Sequence, residues 1–373
     1  MGSTTGTAAP DLKPLSAVDS ISPAFSQTKR QLFAPFRLQR WGRLAVVCLV
    51  IGDFAGGGGG PTNGFNYSPT RTRGGHGASP FGHPHWAEIL PWLPWILAAV
   101  GLLILFILGW IYVASVYRFV LFDSVLYDRC ELKGTWRRWE RRGRSFFYWN
   151  LGLSAAVLAG DALIVGVPVA LAWRAGVFRH PGEHLALLIL GGGALLVIMI
   201  AFLVSTALIG LFAKDFCVPL MAIEEVGVLE AWRRLLPMIK PEKWAYALYV
   251  LMKIVLAMAS AIIFGIITLM ALVGVIIVVG IAGLILFFVG KAAGLTLNLA
   301  TISIAAILGT LIVTGVFYLI ALISTPAMVF FQSYTLHFFG SRYPALGAVL
   351  FPPPENPAPP PPGALPEIEP LIG

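Results

Sequence analysis

Charged residues are scarce in this chain: they make up 12% of 373 residues, whereas hydrophobic residues make up 57%. A soluble domain carries roughly 25% charged residues, so this composition excludes an ordinary water-soluble fold. The mean hydropathy is +0.81. The chain also lacks the ten-residue segments of alternating polarity that mark transmembrane β-barrels. The composition therefore predicts an all-α integral membrane protein.

Cysteines and catalytic motifs are equally sparse. The three cysteines are scattered without a paired spacing, which favours reduced structural thiols over a disulfide framework. No nucleophile elbow, P-loop or zinc-protease helix is present. His180 and His184 match the letters of an inverted zinc-protease motif, but Pro181 and Gly182 oppose the helix that this motif needs. We therefore expect no enzymatic activity, no catalytic residues, no metal and no cofactor.

Six largely apolar runs are candidates for crossing a bilayer, whose core of about 30 Å takes about 20 residues of helix. The predicted spans are residues 41–58, 90–117, 146–173, 185–213, 244–271 and 299–326. The glycine-rich stretch 272–290 follows the fifth run directly and predicts either a seventh span or a re-entrant segment. We therefore expect six or seven transmembrane helices.

Lysine and arginine are distributed unevenly between the connecting segments, and cytoplasmic loops collect these residues. The rich segments are 13–43 with six, 118–144 with eight and 214–243 with five, whereas 56–89 and 174–184 hold two each. The asymmetry predicts a cytoplasmic N-terminus and two cytoplasmic loops in a bacterial inner membrane. An even number of crossings must separate the first two rich segments, so residues 41–58 count as a span despite Asp53.

Both ends of the chain differ in composition from its middle. Residues 1–28 are polar and are expected to be disordered. Residues 29–343 make up the polytopic membrane domain, and residues 344–373 form a proline-rich tail. The run Pro359–Pro362 favours extended polyproline without a core of its own.

An internal repeat is visible around the two longer basic loops. Residues 119–126 precede Trp136-Arg137-Arg138, and residues 216–223 precede Trp232-Arg233-Arg234 at nearly the same spacing. This pattern predicts a duplicated unit of span, interfacial amphipathic helix and span. A fainter third copy at 327–334 would place the C-terminus in the cytoplasm and favours six crossings.

Arginines and tryptophans in these loops are candidates for binding lipid. Aromatics interleaved with charge could also contact nucleic acid, but adjacent spans on both sides favour anionic headgroups, and we expect no nucleic-acid partner. The predicted headgroup-binding residues are Arg137, Arg138, Arg141, Arg142, Arg144, Arg233 and Arg234. The predicted interface anchors are Trp136, Trp139, Trp149, Trp232 and Trp244.

Three short stretches carry a resemblance to a known group: residues 29–41 with the following Gly56–Gly60, residues 230–234 and residues 330–336. They resemble uncharacterised prokaryotic multi-pass membrane proteins, which are similar to the membrane domain sometimes fused to glycerophosphodiester phosphodiesterases. The resemblance covers roughly residues 25 to 345. It implies a membrane architecture and no particular activity.

Two charges lie inside predicted spans. Asp161 is about 22 Å and Lys253 about 13 Å from the cytoplasmic end of its helix, and buried ionisable groups in membranes commonly mark function. An Asp161–Lys253 pair could be a structural clasp, a proton relay or part of a solute path. The alternative is a protonated Asp161 near the outer interface and a Lys253 that snorkels inward.

The leading functional hypothesis is a non-enzymatic organising or assembly factor that binds anionic lipid, with a protein partner or a second copy of itself. The alternative is a small-solute or lipid transporter, for which internal repeats and broken helices are the usual indication.

Overall fold

The computed structural model describes residues 14–34, 38–52, 90–128, 132–178, 182–294 and 298–351. Within these ranges the chain is helical and contains no strand. The helices are α1 (Ile21–Phe33), α2 (Leu38–Ile51), α3 (Leu93–Leu126), α4 (Leu132–Arg174), α5 (Leu185–Phe212), α6 (Val218–Glu224), α7 (Val228–Ile239), α8 (Lys243–Ala292), α9 (Leu299–Gly340) and α10 (Pro344–Leu350). A 3-10 turn, Leu90–Trp92, precedes α3, and a π-helix, Ala213–Cys217, joins α5 to α6.

Five of the helical stretches are long and apolar enough to cross a membrane, as a multi-pass protein requires. They are Leu93–Leu126, Gly134–Arg174, Leu185–Glu224, Lys243–Ala292 and Thr301–Gly340. Each contains most or all of one predicted span. The first predicted span, 41–58, is described only as far as Gly52; α2 has 14 residues there and is about 21 Å long, so it is not among the five.

Helix α8 runs without interruption for 50 residues, or about 75 Å. The predicted division into a span at 244–271 and a separate piece at 272–290 is therefore wrong, because 272–290 continue the same helix. Gly274, Gly280 and Gly283 sit in open space. An isolated glycine weakens a helix by about 1 kcal/mol, and without proline this is not enough to break it.

The core lies at one end of the spans. In the most apolar stretch of each span, 0% to 6% of residues are buried. The largest fully buried side chains instead come from the helix ends that meet here: Phe119 and Phe122 of α3, Phe146 of α4, Phe216 of the π-helix, Tyr246 and Tyr249 of α8, and Tyr334, Phe338 and Phe339 of α9. Tyr249 stacks on Tyr334 and Phe338 with centroids 5.2 and 4.5 Å apart, and such pairs add about 0.5–1.5 kcal/mol beyond buried area.

A glycine allows α3 and α4 to approach closely. A Cβ at Gly143 would lie 2.6 Å from Cγ2 and 2.9 Å from Cα of Val116. The second distance is to backbone, so no side-chain rotation could relieve the clash. Gly143 therefore fixes how the start of α4 docks against the end of α3, before α4 leaves the core as a span.

Residues 14–28 are ordered, which corrects the predicted disorder of 1–28 for the described part of that segment. Ala17 and Ala24 are buried. Tyr334 Oη donates a hydrogen bond of 3.0 Å to the Ala17 carbonyl, and the Leu15 N–H donates one of 3.0 Å to Ser341 Oγ. The segment is buried through small residues, so most of its other residues are polar. Its composition therefore predicted disorder.

The C-terminal boundary also shifts. Residues 344–350 form α10 instead of the start of an extended tail, and Leu346 is fully buried. Leu346 and Leu350 pack against Gly340, where a Cβ would lie 2.7 Å from Leu350 Cδ1. Residues 352–373, which include the proline run, lie outside the described residues.

The docking of α1 has a measurable consequence in amide hydrogen exchange. Gln27 Nε2 donates to the Val125 carbonyl at 3.1 Å, and Gln27 Oε1 accepts from Ser333 Oγ at 2.6 Å. We expect slow exchange across α1, and faster exchange in Gln27→Ala, because buried partners left unpaired cost about 1–3 kcal/mol. Ser26→Ala is the matched control, since the Ser26 hydroxyl bonds only the exposed Pro23 carbonyl. Exchange in the wild type at unprotected rates would contradict the docking.

Candidate functional site

The first turns of α4 present two opposite faces. Thr135, Trp139, Gly143 and Phe146 point into the core and are buried. Arg137, Arg141 and Arg144 recur at spacings of four and three on the other side and are exposed. These three arginines, here termed the basic face, form no ion pair with any residue in the described ranges. Tyr148, one turn further along the same side, is 63% exposed and leads into the apolar part of α4.

The other four predicted headgroup-binding arginines have partners within the protein. Arg138 Nη1 lies 3.8 Å from Asp123 Oδ1, and Arg142 Nη2 lies 2.9 Å from Glu225 Oε1. Arg234 pairs with Glu224 and, at 3.3 Å, with Glu230. Arg233 Nη1 lies 3.6 Å from Glu230 Oε2 but is 82% exposed. The structure thus divides the seven arginines into three without an ion pair to a described residue and four with carboxylate neighbours.

The predicted tryptophan anchors also separate. Trp139 is 2% exposed and stacks on Phe119 at 5.7 Å, so it is a core residue rather than an interface anchor. Trp136 packs edge-on against Tyr112 and Tyr117. Trp149 and Trp232 contact each other, with ring centroids 6.0 Å apart. Trp244 is 88% exposed, and its role as an anchor stays a prediction.

The guanidinium groups of Arg138 and Arg142 lie 5.2 and 5.3 Å from the centroid of the Trp139 ring. A cation over an aromatic face contributes about 0.5–1 kcal/mol at exposed sites. The buried indole therefore orients the two flanking arginines toward Asp123 and Glu225. This leaves the basic face as the part of α4 available to an external anion.

A closed polar cluster lies where α8 and α9 meet the π-helix. Lys253 Nζ donates to Asp215 Oδ2 at 2.6 Å, and Tyr249 Oη donates to the same oxygen at 3.0 Å. Tyr249 Oη also bonds Thr335 Oγ1 at 2.7 Å. The Lys253 and Asp215 side chains are only 7% and 11% exposed. Desolvated charges are costly unless paired and hydrogen-bonded, and here each is.

Lys253 is thus paired with Asp215, not with Asp161 as predicted. Asp161 lies on α4, next to Gly160. Phe202 of α5 packs closely on Gly160, and a Cβ added at Gly160 would lie 2.3 Å from the Phe202 ring. Asp161 Oδ1 is buried and has no hydrogen-bond partner among the described residues. The predicted span 185–213 ended before Asp215, so Asp215 was assigned to a loop and was not considered as a partner of Lys253.

Residues near the chain ends complete the core and were missed in the sequence. Arg342 Nε donates to Glu242 Oε2 at 2.7 Å, and Arg342 Nη1 donates to the Leu15 carbonyl at 2.8 Å. Tyr343 Oη donates to Glu224 Oε1 at 2.5 Å. Partial burial raises the pKa of Tyr343 above its ordinary 10.0, while the nearby Arg234 lowers it, so Tyr343 remains a donor at neutral pH. These bonds tie α10 to α6 and the N-terminal segment to α9.

Among the described residues, no group of three or more His, Cys, Asp or Glu side chains could hold a metal ion. A family model described as a family of unknown function (DUF7544) matches residues 15–349. No curated protein and no solved structure matches the chain. The family match begins ahead of α1, so it includes the ordered N-terminal segment.

Proposed function

The chain belongs to this family of unknown function (DUF7544), and we propose that it is a non-enzymatic organising protein that binds anionic lipid at one surface of the bilayer. The observation that carries the proposal is the basic face: three exposed arginines in register on α4, without ion pairs to described residues, immediately before an apolar span. Each basic residue near an anionic surface contributes about 1 kcal/mol of attraction. Three in register on one rigid helix attract several headgroups at once.

Helix α7 also supports a protein surface that lies at the lipid headgroups. Val228, Ala231 and Leu235 face the core and are buried, while Leu229 and Leu236 are 69% and 49% exposed. Exposed leucines beside arginine on a short amphipathic helix are typical of a segment lying in the headgroup boundary. Helix α7 and the exposed Trp244 that follows it would therefore anchor the core from a second side.

We infer six crossings, with the core on the cytoplasmic side of a bacterial inner membrane. Helix α2 leaves the core beside α9, where Trp41 Nε1 donates to the Leu322 carbonyl at 3.0 Å, whereas α3 runs from Leu93 back into the core. A crossing between them, at 41–58, satisfies this geometry. Both arginine-rich loops lie at the core end, and such loops are cytoplasmic.

Duplication is likewise part of the proposal. Asp128 and Glu225 have left-handed backbone conformations with φ of 56° and 59°. They are separated by the same interval as Phe119 and Phe216, which are both fully buried. Each acidic residue also pairs with an arginine, Arg40 and Arg142 respectively. Equivalent turns at equivalent positions support two copies of one unit.

The test of lipid organisation replaces Arg137, Arg141 and Arg144 together by Gln. Mass spectrometry of native nanodiscs is expected to show loss of most phosphatidylglycerol enrichment, since about 1 kcal/mol per charge is removed. The triple Lys variant keeps the charge and is expected to retain the enrichment. Arg174→Gln with Lys291→Gln removes two positive charges at the opposite ends of α4 and α8, away from the basic face, and is expected to retain the enrichment. Unchanged enrichment in the triple Gln variant would refute the proposal.

Transport is the second candidate, and the π-helix favours it. Interrupted or π-helical turns inside apolar helices often occur at functional sites, and this one carries Asp215. Asp215 in turn binds Lys253, the one charged residue inside the predicted span 244–271. Loss of a measured solute flux on neutralising this pair, with the fold intact, would favour transport over the organising role.

A further inference from the structure

The part of the chain that follows α10 is acidic. Residues 352–373, here termed the acidic segment, lie outside the described ranges, and their sequence contains Glu355, Glu367 and Glu369 but no lysine, arginine or histidine. The whole chain has a formal net charge of +8, so the acidic segment is opposite in sign to the rest of the protein. Opposite charges on two surfaces favour and orient a contact between them.

The acidic segment begins at the same end of the fold as the basic face. Phe351, the residue before it, lies against His337 of α9 with ring centroids 5.6 Å apart. His337 Nε2 is 2.9 Å from Gln27 Oε1 of α1, and Gln27 Nε2 donates to the Val125 carbonyl of α3. The same last turn of α3 carries the carboxylate that lies 3.8 Å from Arg138 of α4. Four contacts between neighbouring helices therefore connect the start of the acidic segment to the basic face.

The acidic segment is long enough to cover this distance. Packed helices lie about 8–10 Å apart, so four steps from helix to helix amount to about 40 Å at most. Glu367 follows Phe351 by 16 residues, which reach about 50 Å in a polyproline conformation of about 3.1 Å per residue. Glu355 follows Phe351 by only four residues and stays within about 12 Å of it. Glu367 and Glu369 therefore have the length to reach the basic face.

The spacing of these two glutamates matches the spacing of the arginines. In an extended chain, Glu367 and Glu369 lie about 6 Å apart. Arg137 and Arg141 are separated by four residues of α4, which is also about 6 Å along the helix. Arg144 continues the same exposed side. Two carboxylates of the acidic segment can therefore each meet a guanidinium group of the basic face at the same time.

A second exposed pair of cations, Lys29 and Arg30, lies on α1. These two residues are adjacent in the sequence, and adjacent positions on a helix do not face the same way. They therefore offer one cation at a time to an extended segment, whereas the basic face offers two. This difference favours the basic face as the docking surface.

We propose that the acidic segment docks on the basic face of its own chain, with Glu367 and Glu369 pairing with Arg137 and Arg141, and that it competes there with anionic headgroups. A tethered segment has a high effective concentration, in the millimolar range for short linkers, so it occupies even a weak site. Exposed ion pairs are individually weak, so a membrane rich in anionic lipid displaces it. The acidic segment thus sets the anionic lipid content at which the basic face engages the membrane. This regulatory role rests on the proposed function, whereas the contact itself does not.

The contact is tested in the triple Lys variant of the basic face, which keeps the charge and supplies amines that a carbodiimide couples to carboxylates. The protein is held in phosphatidylcholine nanodiscs, where no anionic lipid competes. Mass spectrometry is expected to find cross-links from Glu367 or Glu369 to the substituted positions. The exposed native residues Lys29, Lys240 and Lys243 serve as comparators in the same sample. Cross-links mainly to these three would overturn the proposal, and so would cross-links between a ¹⁵N-labelled copy and an unlabelled one.

Glu367→Gln with Glu369→Gln tests the competition in the protein with its native arginines. Phosphatidylglycerol enrichment in native nanodiscs is expected to rise about threefold, as the loss of weak exposed ion pairs predicts. The matched control, Glu355→Gln with Glu183→Gln, removes two carboxylates that the contact does not use and is expected to leave the enrichment unchanged. Equal enrichment in the two double variants would overturn the regulatory role. If the triple Gln variant of the basic face also keeps its enrichment, the proposed function fails, while the cross-links still test the contact.

Discussion

Replacing Lys253 by Met is expected to destabilise the protein by about 3–5 kcal/mol, the usual cost of leaving one member of a buried ion pair without its partner. The Asp215 carboxylate is 11% exposed and would keep only the Tyr249 hydroxyl as a donor to its Oδ2. Equilibrium unfolding in mixed micelles measures the change. Lys291→Met is the control, because Lys291 is exposed at the end of the same helix.

The double variant Lys253→Met with Asp215→Leu separates pairing from packing. Replacing both charges with apolar groups of similar size is often neutral or stabilising, so most of the lost stability is expected to return. If the double variant is less stable than Lys253→Met alone, the ion pair does not explain the effect. The same folded double variant also discriminates between functions: the organising role predicts unchanged lipid enrichment, and transport predicts a lost flux.

Gly143→Leu is expected to prevent α3 and α4 from docking. Overpacking a close contact typically costs 1–3 kcal/mol and occasionally more, and the clash here includes the Val116 backbone at 2.9 Å. Unfolding in mixed micelles and the fraction of monodisperse protein measure the loss. Gly152→Leu, nine residues later in α4, is the matched control, because a Cβ at Gly152 meets nothing within 4 Å. Equal stability of the two variants would show that the close approach of Gly143 does not matter.

Five of the six predicted spans coincide with long apolar helices, because the requirement for crossing a bilayer is local: about 20 apolar residues suffice wherever they occur. The far limit of α8 was not predicted, since glycine weakens a helix and ends it only when other signals agree. In α8, Gly274, Gly280 and Gly283 have apolar neighbours on both sides and no proline. The helix therefore continues through all three.

The core could not be read from the sequence, because its contacts join residues far apart. Gln27 lies in a polar stretch, and its side chain gains a role only when Val125, Ser333 and His337 approach it. Trp139 was predicted as an anchor since tryptophan beside arginine is common at membrane interfaces, yet Phe119 buries it. The three arginines of the basic face were predicted among seven headgroup-binding arginines. Arg142 and Arg234 have acidic partners in the fold, which the sequence did not indicate.

The bond from Leu15 to Ser341 joins residues 326 positions apart, and this has a consequence for the order of folding. Spans can enter the membrane one after another as the chain is synthesised. The N-terminal segment, however, cannot bond Tyr334, Ser341 and Arg342 until the end of α9 has emerged from the ribosome. Contacts of such long sequence separation form late and slowly. The nascent protein therefore passes through a stage with its spans inserted and its core still open, when quality-control proteases could recognise it.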